Sequence, residues 1–495
     1  MEYSSFRAPC LNTAGNPEVV LLECVMKTGI PEFQVAGLAP SRAREAMERL
    51  SCGLQMHGLR FGHKRITVNV EGRPDPDLVE LLDLPILVTI LLAQKNRLPG
   101  LMGNATCLGK LSLSGAIRPL NQPARLLAVA GHLGFQRMLS HISYPLKLCD
   151  GSATPERIET IQDLLRGNEK PVNCSPIIER EQIGPVSQAG SITYGRKVMR
   201  AAVAAAEARH SLMCLGPPGS GKTTLAGAIY EMLPPADETE AREIFFRNQS
   251  EQEPGQRPFR RPHHSSTVVA MIGGGTPIRC GEVTRANHGM LLLDELGEFR
   301  REVLQSLREP MDNYFVHISR GNHREALPCH NWWIATANPC KCGMAGSSGV
   351  CRCTEASVRQ YQTRMLGALE DRIDIQLFVE SDGACTGWDE INLWRENLRN
   401  AQQKRTRSGG YRFNADIEDL ERWCILEGGA YERFHRETEG WSNRKKHRIR
   451  RLARSIADMS GAAWIQMEHL LEALRYSYAG MAISQESAKA PSLYG

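Results

Sequence analysis

The pattern of apolar and polar residues changes four times along this chain. Residues 1–155 mix strand-like runs such as RITVNV with helix-like stretches such as PSRAREAMERL, which predicts an α/β domain. Residues 156–190 are polar and punctuated by proline, so a linker is expected there. From 191 to 380 apolar strands alternate with helices, as in a parallel-sheet nucleotide-binding domain, and 388–480 is helical in pattern before a tail at 481–495.

The longest apolar run, Leu84–Ala93, is bounded by Asp83 and Lys95 and has about half the length that a bilayer requires. It predicts a buried helix. The N-terminus lacks a basic stretch followed by an apolar one, so neither a secretory signal nor a membrane partner is expected. The fifteen cysteines are therefore interpreted as reduced thiols with a candidate metal site, in a cytoplasmic protein. A formal net charge of +5 does not by itself demand a nucleic-acid partner.

The stretch GPPGSGKT fits the pattern G-x-x-x-x-G-K-[ST] and lies between the apolar run SLMCL and the helical LAGAIYEML. Backbone amides of such a loop cradle phosphates, the lysine reaches the β and γ oxygens, and the Thr hydroxyl binds Mg²⁺. An accidental glycine loop is the alternative, and the flanking strand and helix disfavour it. The predicted ATP-binding residues are Gly216, Gly219, Ser220, Gly221, Lys222, Thr223 and Thr224.

A second apolar strand, in GMLLLDELGEF, delivers Asp294 and Glu295 together at its end. Asp294 is predicted to join Thr223 in holding Mg²⁺, and Glu295 to polarise the attacking water. A pair of acids after a strand is more often a solvated strand end. Following a phosphate-binding loop in the same domain, it indicates a nucleotide hydrolase.

Two further residues are candidates for the same reaction. Asn338 ends the strand WWIATA and would orient water beside the γ-phosphate, although Asn-Pro is also a common turn opening. Arg372, in LEDRID, is a candidate arginine finger that would act on a neighbouring subunit. A local ion pair with Asp371 or Asp374 is the alternative for this arginine.

Four cysteines follow Asn338 in a C-x-C-x₈-C-x-C arrangement: Cys340, Cys342, Cys351 and Cys353. Four thiolates complete a closed structural zinc site, and the Gly and Ser residues between the pairs let the loop 340–353 fold back. The Cys-x-Cys spacing is tighter than usual, so free cysteines in a loop remain the alternative.

Two basic segments are candidates for contact with nucleic acid. RPFRRPHHSS, at 257–266, combines arginines and histidines with Phe259, and NRKKHRIRRLAR, at 443–454, is denser in charge. Contacts within the protein or between subunits are the alternative for the first segment, and a solvated helix face for the second.

RPFRRPHHSSTVVAMIGGG, GEVTRANHGMLLLDELGEF, ATANPCKCG and LEDRID, in this order, resemble the magnesium-chelatase-like AAA+ proteins, in particular the ComM/YifB group. GIPEFQVAGLAPSRAREAMERL and LDLPILVTILLA are similar to the N-terminal domain of that group, which is Lon-protease-like in fold, and HRIRRLARSIADMSG to its C-terminal helical domain. The resemblance covers nearly the whole chain. The expected fold is thus an α/β P-loop AAA+ core between a Lon-like α/β domain and a helical domain.

The resemblance implies a ring-forming ATPase, normally hexameric, that uses ATP and Mg²⁺ to drive branch migration on single-stranded or branched DNA during natural transformation. It assigns Arg372 to the finger and Arg451 to the second sensor. A chelatase-like motor that remodels a protein partner is the alternative. Proteolysis is not expected, because Ile86 and Ala124 stand where a Ser-Lys dyad is required.

Overall fold

The structure is a computed structural model that describes residues 1–59, 63–96, 98–101, 103–143, 146–148, 151–176, 194–247, 256–320, 323–347, 350–367, 369–379 and 386–482. The chain divides into two compact units. The first comprises Met1–Arg180, Ala236–Gln256 and Thr276–Arg279, and the second comprises Glu181–Pro235, Arg257–Gly275 and Cys280–Gly495.

The first unit is built from two four-stranded sheets, ordered β1-β2-β4-β3 and β5-β6-β8-β9, together with a two-stranded parallel pair of β7 and β10. Its elements up to residue 176 are β1 (Glu2–Leu11), β2 (Pro17–Thr28), β3 (Glu32–Ala36), α1 (Pro40–Met56), β4 (Lys64–Glu71), α2 (Asp83–Ala93), β5 (Ala105–Cys107), α3 (Pro123–His132), β6 (Arg137–Ser140), β7 (Leu146–Leu148), β8 (Thr154–Arg157), α4 (Ile161–Arg166), β9 (Lys170–Pro171) and β10 (Cys174–Pro176).

Burial in this unit follows the periodicity of the sequence. Along β2 every second residue from Val20 to Met26 is buried, as expected for a strand with one face on the core. Helix α2 is apolar all round and almost wholly buried, which confirms the prediction for Leu84–Ala93. Ile86, at the position of the absent serine, lies inside that core.

The stretch from 156 to 176 differs from the expected linker, because it is folded into the first unit. Helix α4 begins with a reciprocal capping box, in which the Thr160 hydroxyl and the Asp163 carboxylate accept each other's backbone N–H. Ile161 and Leu164 are fully buried. The remainder of the expected linker, from 177 to 190, lies outside the described residues.

The remaining elements begin with α5 and belong to the second unit, apart from α7 and the first residue of β14. They are α5 (Arg196–Ala208), β11 (Leu212–Leu215), α6 (Lys222–Glu231), α7 (Glu238–Arg247), β12 (Phe259–Arg260), α8 (Val268–Ile272), β13 (Gly273–Gly274), β14 (Arg279–Cys280), α9 (Glu282–Arg285), β15 (Met290–Leu293), α10 (Arg301–Ser306), α11 (Arg308–Asn313), β16 (Phe315–Arg320), β17 (His323–Pro328), β18 (Trp332–Ala337), α12 (Glu355–Leu366), β19 (Ile375–Phe378), α13 (Trp388–Arg407), α14 (Leu420–Trp423), α15 (Gly428–Glu437), α16 (Asn443–Met459) and α17 (Met467–Ala482).

Helix α7 packs with the first unit, although the chain reaches it directly after α6. Phe246 is fully buried against Leu11 and Val129. The Arg125 guanidinium donates to the Phe246 carbonyl at 2.7 Å, and Arg247 donates to Asn16 at 3.2 Å. The polypeptide therefore leaves the second unit after α6 and returns to it before β12.

The second unit is organised around a five-stranded parallel sheet in the order β12-β15-β18-β11-β19. Strands β11, β15 and β18 are buried along their whole length, as parallel strands covered on both faces are. Leu215 is in register with Ala337, and Leu293 with Ala335. The carboxyl ends of these three strands consequently meet at one edge of the sheet.

Helices α13 to α17 form the helical part of this unit and share one hydrophobic core with the parallel sheet. A buried ion pair network joins α5 to α13: Glu207, fully buried, accepts hydrogen bonds at 2.7 Å from Arg395 and from two nitrogens of Arg399. A more exposed pair, Arg196 with Glu390 at 2.9 Å, joins the same two helices.

Among the described residues, no helix combines the length and the apolar character needed to cross a bilayer.

Candidate functional site

The phosphate-binding loop lies at the carboxyl end of β11, the fourth strand of the sheet. Gly216 approaches the Val379 carbonyl so closely that a Cβ there would meet its oxygen at 2.3 Å, which explains a glycine at this position. Gly219 and Gly221 have φ of 80° and 83°, in the left-handed region that glycine adopts without strain. The loop conformation is thus set by glycines at the positions that the motif requires.

Lys222 is the first residue of α6, and its ammonium group folds back into the loop. It donates hydrogen bonds to the carbonyls of Gly216 at 2.9 Å and Pro217 at 2.7 Å. Partial burial lowers the pKa of Lys222. Thr223 and Thr224 follow in the first turn and are exposed. A cation and a helix N-terminus therefore lie where phosphates would be bound.

Asp294 directly follows β15, which is separated from β11 by β18 in the sheet, and it faces the phosphate-binding loop. The Thr223 hydroxyl donates to its Oδ1 at 3.3 Å, and the Thr336 hydroxyl donates to the same oxygen. The predicted magnesium pair, Thr223 and Asp294, is therefore brought together, and a hydroxyl and a carboxylate oxygen are ligands that this hard cation prefers.

Glu295, the next residue, has φ 55° and ψ 52° and turns the chain sharply at the end of β15. Its backbone N–H donates to the Thr336 hydroxyl at 3.1 Å, and its side chain is 66% exposed. The Glu295 carboxylate is therefore accessible to water, as a group that activates a water molecule must be.

Asn338 follows β18 directly, between the two strands that carry the phosphate loop and the acidic pair. The Ala337 carbonyl accepts a hydrogen bond from the Gly216 N–H at 3.3 Å, so Asn338 leaves the sheet beside the loop. The three predicted segments, at Gly216, Asp294 and Asn338, converge on one edge of the sheet.

Two residues of the first basic segment also reach this edge. Arg261 forms an ion pair with Asp294, and His264 lies 3.9 Å from the Glu295 carboxylate. Arg260 is bound to Glu282 by two hydrogen bonds, and Arg257 is buried and donates to three backbone carbonyls. The segment thus supplies one cation, Arg261, and one imidazole, His264, to the acidic pair, a role that its composition did not reveal.

Tyr194 is a further residue of the loop that sequence reasoning missed. Its hydroxyl donates to the Gly221 carbonyl at 2.7 Å, and burial raises the pKa of Tyr194. The Ser220 hydroxyl is buried without a hydrogen-bond partner among the described residues. Tyr194 has no motif that could have announced it, because the contact joins residues 27 positions apart.

Arg372 lies away from this edge and is held inside its own chain. Its guanidinium donates to Asp312 at 2.6 and 3.0 Å, and the residue is 9% exposed. Arg444, at the start of α16, reaches the same carboxylate at 3.1 Å. The carboxylate partner observed for Arg372 is thus Asp312, rather than the neighbouring acids that the sequence suggested.

Asp374 belongs instead to a separate buried network. It accepts hydrogen bonds from the Ser211 N–H at 2.9 Å and the Ser211 hydroxyl at 3.0 Å. Burial alone would raise the pKa of Asp374, but the hydrogen bond from His210 and the charge of Arg448 lower it to about 2. Asp374 therefore carries a negative charge at neutral pH.

Arg451 lies on α16 and donates to the Ile417 carbonyl at 2.5 Å. Most other cations of the second basic segment are also engaged within the chain: Arg448 pairs with Asp374, Arg450 with Glu421, and Lys445 lies 4.3 Å above the Trp441 ring. This basic run consequently holds α16 against its neighbours.

The four cysteines after Asn338 gather into a cluster. Their sulfur atoms all lie within 4.8 Å of one another. Backbone hydrogen bonds from Met344 and Arg352 lower the pKa of Cys342 to about 6. No other group of three or more potential metal ligands occurs within the described part of the chain.

Sheet and site together define a P-loop ATPase, with a lysine and threonine on one strand-to-helix turn and an acidic pair beyond the neighbouring strand. Three family models match the chain: magnesium chelatase, subunit ChlI, at 191–385; subunit ChlI of Mg-chelatase, at 22–141; and magnesium chelatase, subunit ChlI C-terminal, at 395–477.

Full-length relatives give the same result. Competence protein ComM of Haemophilus influenzae is 29% identical over 488 residues, which cover 92% of this chain and 94% of the relative. The uncharacterized protein YifB is 28% identical in Salmonella typhimurium and 27% in Escherichia coli, in both cases over 93% of this chain and 94% of the relative. The chain belongs to the ComM/YifB group of magnesium-chelatase-like AAA+ ATPases, as its sequence predicted.

Proposed function

We propose that this protein is a hexameric ring motor that couples ATP hydrolysis to branch migration on single-stranded or branched DNA, in natural transformation or recombination. The relative from Haemophilus influenzae is named a competence protein, which motivates the proposal for this chain. The feature of the structure that supports it best is the hairpin β16–β17.

This hairpin presents two aromatic side chains and one arginine to solvent. Phe315, His317 and Ser319 alternate with buried residues along β16 and are exposed. Ser319 is in register with Arg324 on β17, which is also exposed. Aromatic rings that stack on bases and cations that contact phosphates are what a sequence-tolerant DNA surface requires.

The position of the hairpin in the chain also links it to the phosphate site. It lies between β15, which ends in the acidic pair, and β18, which ends in Asn338. Helices α10 and α11 connect the acidic pair to the start of β16, and three residues connect the end of β17 to the amino end of β18. A change at the phosphate site would therefore be transmitted to the hairpin through these two connections. This connection supports a coupling of hydrolysis to movement of a bound strand.

At the phosphate site, Lys222 and the loop amides would bind ATP, and Thr223 and Asp294 would hold Mg²⁺. The bound ion supplies positive charge to the phosphate oxygens. Glu295 would take a proton from the attacking water, and Asn338 would orient that water. Arg372 would reach the site of the neighbouring subunit after leaving Asp312.

We propose zinc as a third cofactor, held by the four cysteines, whose sulfur atoms all lie within 4.8 Å of one another. Arg451 remains a candidate second sensor, although its guanidinium contacts a backbone carbonyl of its own helical region.

The alternative is a chelatase-like ATPase that remodels a protein partner. One observation favours this alternative. Most of the cationic side chains in the two basic segments, 257–266 and 443–454, form contacts within the chain. If the protein is a DNA motor, its contacts to DNA phosphates must come from residues outside these two segments, of which Arg324 is the first candidate.

The deciding experiment is steady-state ATPase activity of the purified protein with and without single-stranded and branched DNA, at low and moderate salt. We expect stimulation by DNA that fades as salt rises, because phosphate contacts release counterions. An ATPase that no DNA stimulates, at either salt concentration, would refute the DNA motor and favour the protein remodeller. Lys222→Ala provides the inactive reference.

Arg324→Ala tests the hairpin itself. Loss of one phosphate contact reduces the salt slope of DNA binding by about 1. Arg436→Ala is the matched control, since Arg436 is also an exposed arginine but lies on α15. Equal effects of the two substitutions on the slope would exclude a specific role for the hairpin.

A further inference from the structure

The four cysteines place their sulfur atoms as the corners of a metal site. Cys340 Sγ lies 3.3 Å from Cys342 Sγ and 3.8 Å from Cys351 Sγ, and the latter two are 3.6 Å apart. Four thiolates at about 2.3 Å from one zinc ion are separated by about 3.8 Å. A disulfide requires about 2 Å, so the cluster has the dimensions of a tetrahedral site and not of two bridges.

The surroundings of the cluster are those of a closed structural site. Ala345 and Val358 are buried against the sulfur atoms, and the Ala345 N–H donates to Cys340 Sγ at 3.4 Å. Thiolates are soft ligands that select zinc over the hard ions magnesium and calcium. With all four positions filled by sulfur, the metal would have no open position for a substrate.

The loop between the two cysteine pairs touches the phosphate-binding loop directly. A Cβ on Gly343 would lie 2.7 Å from Cδ and 3.0 Å from Cγ of Pro218, and 3.9 Å from the Asn338 side chain. Gly343 has φ 81°, which only glycine adopts readily. The cysteine loop therefore packs without a gap against the second proline of GPPGSGKT.

Helix α12, which follows the cysteine loop in the chain, packs close to the acidic pair. Helix α12 starts two residues after Cys353, with Thr354 as its N-cap. On this helix Gln362 donates to the Pro339 carbonyl at 3.1 Å, and Tyr361 packs so closely that a Cβ on Gly297 would meet its hydroxyl at 2.1 Å. Gly297 lies two residues beyond Glu295.

We propose that the four cysteines bind one Zn²⁺ and that this metal fixes the phosphate loop, the Asn338 strand end and the turn after Glu295 relative to one another. Without the metal, the two cysteine pairs lose the link between them, and the contacts at Pro218 and Gly297 lose their support. This inference rests on the proposed hydrolysis of ATP at Lys222 and Glu295, but the metal content can be measured independently of it.

The first test is the zinc content of the purified protein, measured by inductively coupled plasma mass spectrometry. We expect one zinc ion per chain, lost in the double variant Cys342→Ser/Cys351→Ser and retained in Cys280→Ser, a cysteine outside the cluster with similar burial. Wild-type protein without zinc, or with iron in its place, would overturn the assignment.

The second test asks whether the metal supports nucleotide binding. We expect that removal of zinc from the wild-type protein with a chelator under reducing conditions weakens binding of a fluorescent ATP analogue about tenfold or more, and that added Zn²⁺ restores it. Because this comparison uses the wild-type chain, it does not depend on the folding of a cysteine variant.

Gly343→Ala separates the contact from the metal. This variant should keep its zinc and yet lose about 10- to 100-fold in kcat/KM for ATP, since the added methyl displaces Pro218 by a large fraction of an ångström. Gly409→Ala is the control: Gly409 has a similar φ of 78° and open space around it.

The outcomes distinguish the zinc proposal from the proposed function. Two results would overturn the coupling between the metal and the phosphate loop while leaving the ATPase assignment intact. One is wild-type protein that binds the analogue equally well before and after its zinc is removed. The other is a Gly343→Ala variant that is as active as Gly409→Ala. Zinc-loaded wild-type protein that hydrolyses no ATP would instead refute the proposed function and leave the metal site standing.

Discussion

Glu207→Gln removes one negative charge from the centre of the second unit. Glu207 is fully buried on α5 and accepts three hydrogen bonds of 2.7 Å from Arg395 and Arg399 on α13. Glutamine has nearly the same shape but no charge, so the two guanidinium groups lose their common counter-ion. One of them, Arg395, is only 12% exposed and cannot be fully rehydrated.

The expected cost follows from that burial. Removal of one partner from a buried ion pair typically costs about 3–5 kcal/mol. Arg399 is 31% exposed and regains part of its hydration, so we expect the lower end, about 3 kcal/mol. For a unit of about 290 residues, such a loss lowers the melting temperature by about 5 °C.

The assay is denaturant unfolding followed by tryptophan fluorescence. All seven tryptophans of the chain lie in the second unit, so this signal reports on that unit alone. The matched control is Glu390→Gln, which breaks the pair with Arg196 across the same two helices. Both partners of that pair are at least 40% exposed, so about 0–1 kcal/mol is expected.

Equal destabilisation by Glu207→Gln and Glu390→Gln would refute the reasoning, because burial is the only large difference between the two pairs. A loss near zero for both would show that the charge of Glu207 is not stabilising. A much larger loss for Glu207→Gln alone would confirm the argument.

Three further predictions concern the ATPase site and its surroundings. Glu295→Gln should bind ATP but hydrolyse it at least about 100-fold more slowly, as binding and single-turnover measurements would show; rapid turnover would refute the role of Glu295 as base. Arg372→Ala should be inactive alone, and mixing it with Lys222→Ala should restore part of the activity if the finger acts between subunits; no recovery would contradict a shared site. Asp374→Asn should cost about 2 kcal/mol of unfolding free energy at pH 7, since the depressed pKa of about 2 stabilises the folded state above the unfolded value near 4. That difference should shrink as the pH falls from 4 towards 2, and a difference that does not depend on pH would exclude ionisation as the cause.

The phosphate site could be predicted from the sequence because its chemistry is carried by short local motifs. The lysine, threonine and glycines of GPPGSGKT and the acidic pair each sit at the end of an apolar run, and parallel strands bring such ends together. The cysteine cluster could be predicted from the sequence for the same reason, since only thirteen positions separate its first thiol, Cys340, from its last, Cys353.

The partners of the charged side chains could not be predicted in the same way. Arg261 reaches Asp294 across 33 positions, and Arg372 reaches Asp312 across 60. Such pairs depend on how strands and helices pack, which no local pattern records. The folded stretch 156–176 is a different case, because the pattern Thr160-Ile-Gln-Asp163 is a helix start that the polar composition concealed.

Helix α7 has a consequence for how this protein can be shortened or recombined. A chain trimmed to the ATPase portion from 191 onward would still carry α7, but without Leu11, Val129 and Arg125 it would expose Phe246 to water. An unpartnered aromatic residue of this kind favours aggregation. The first unit therefore cannot be removed by truncation at a single position in the chain. Gene fusions that exchange the first unit must also exchange residues 236–256.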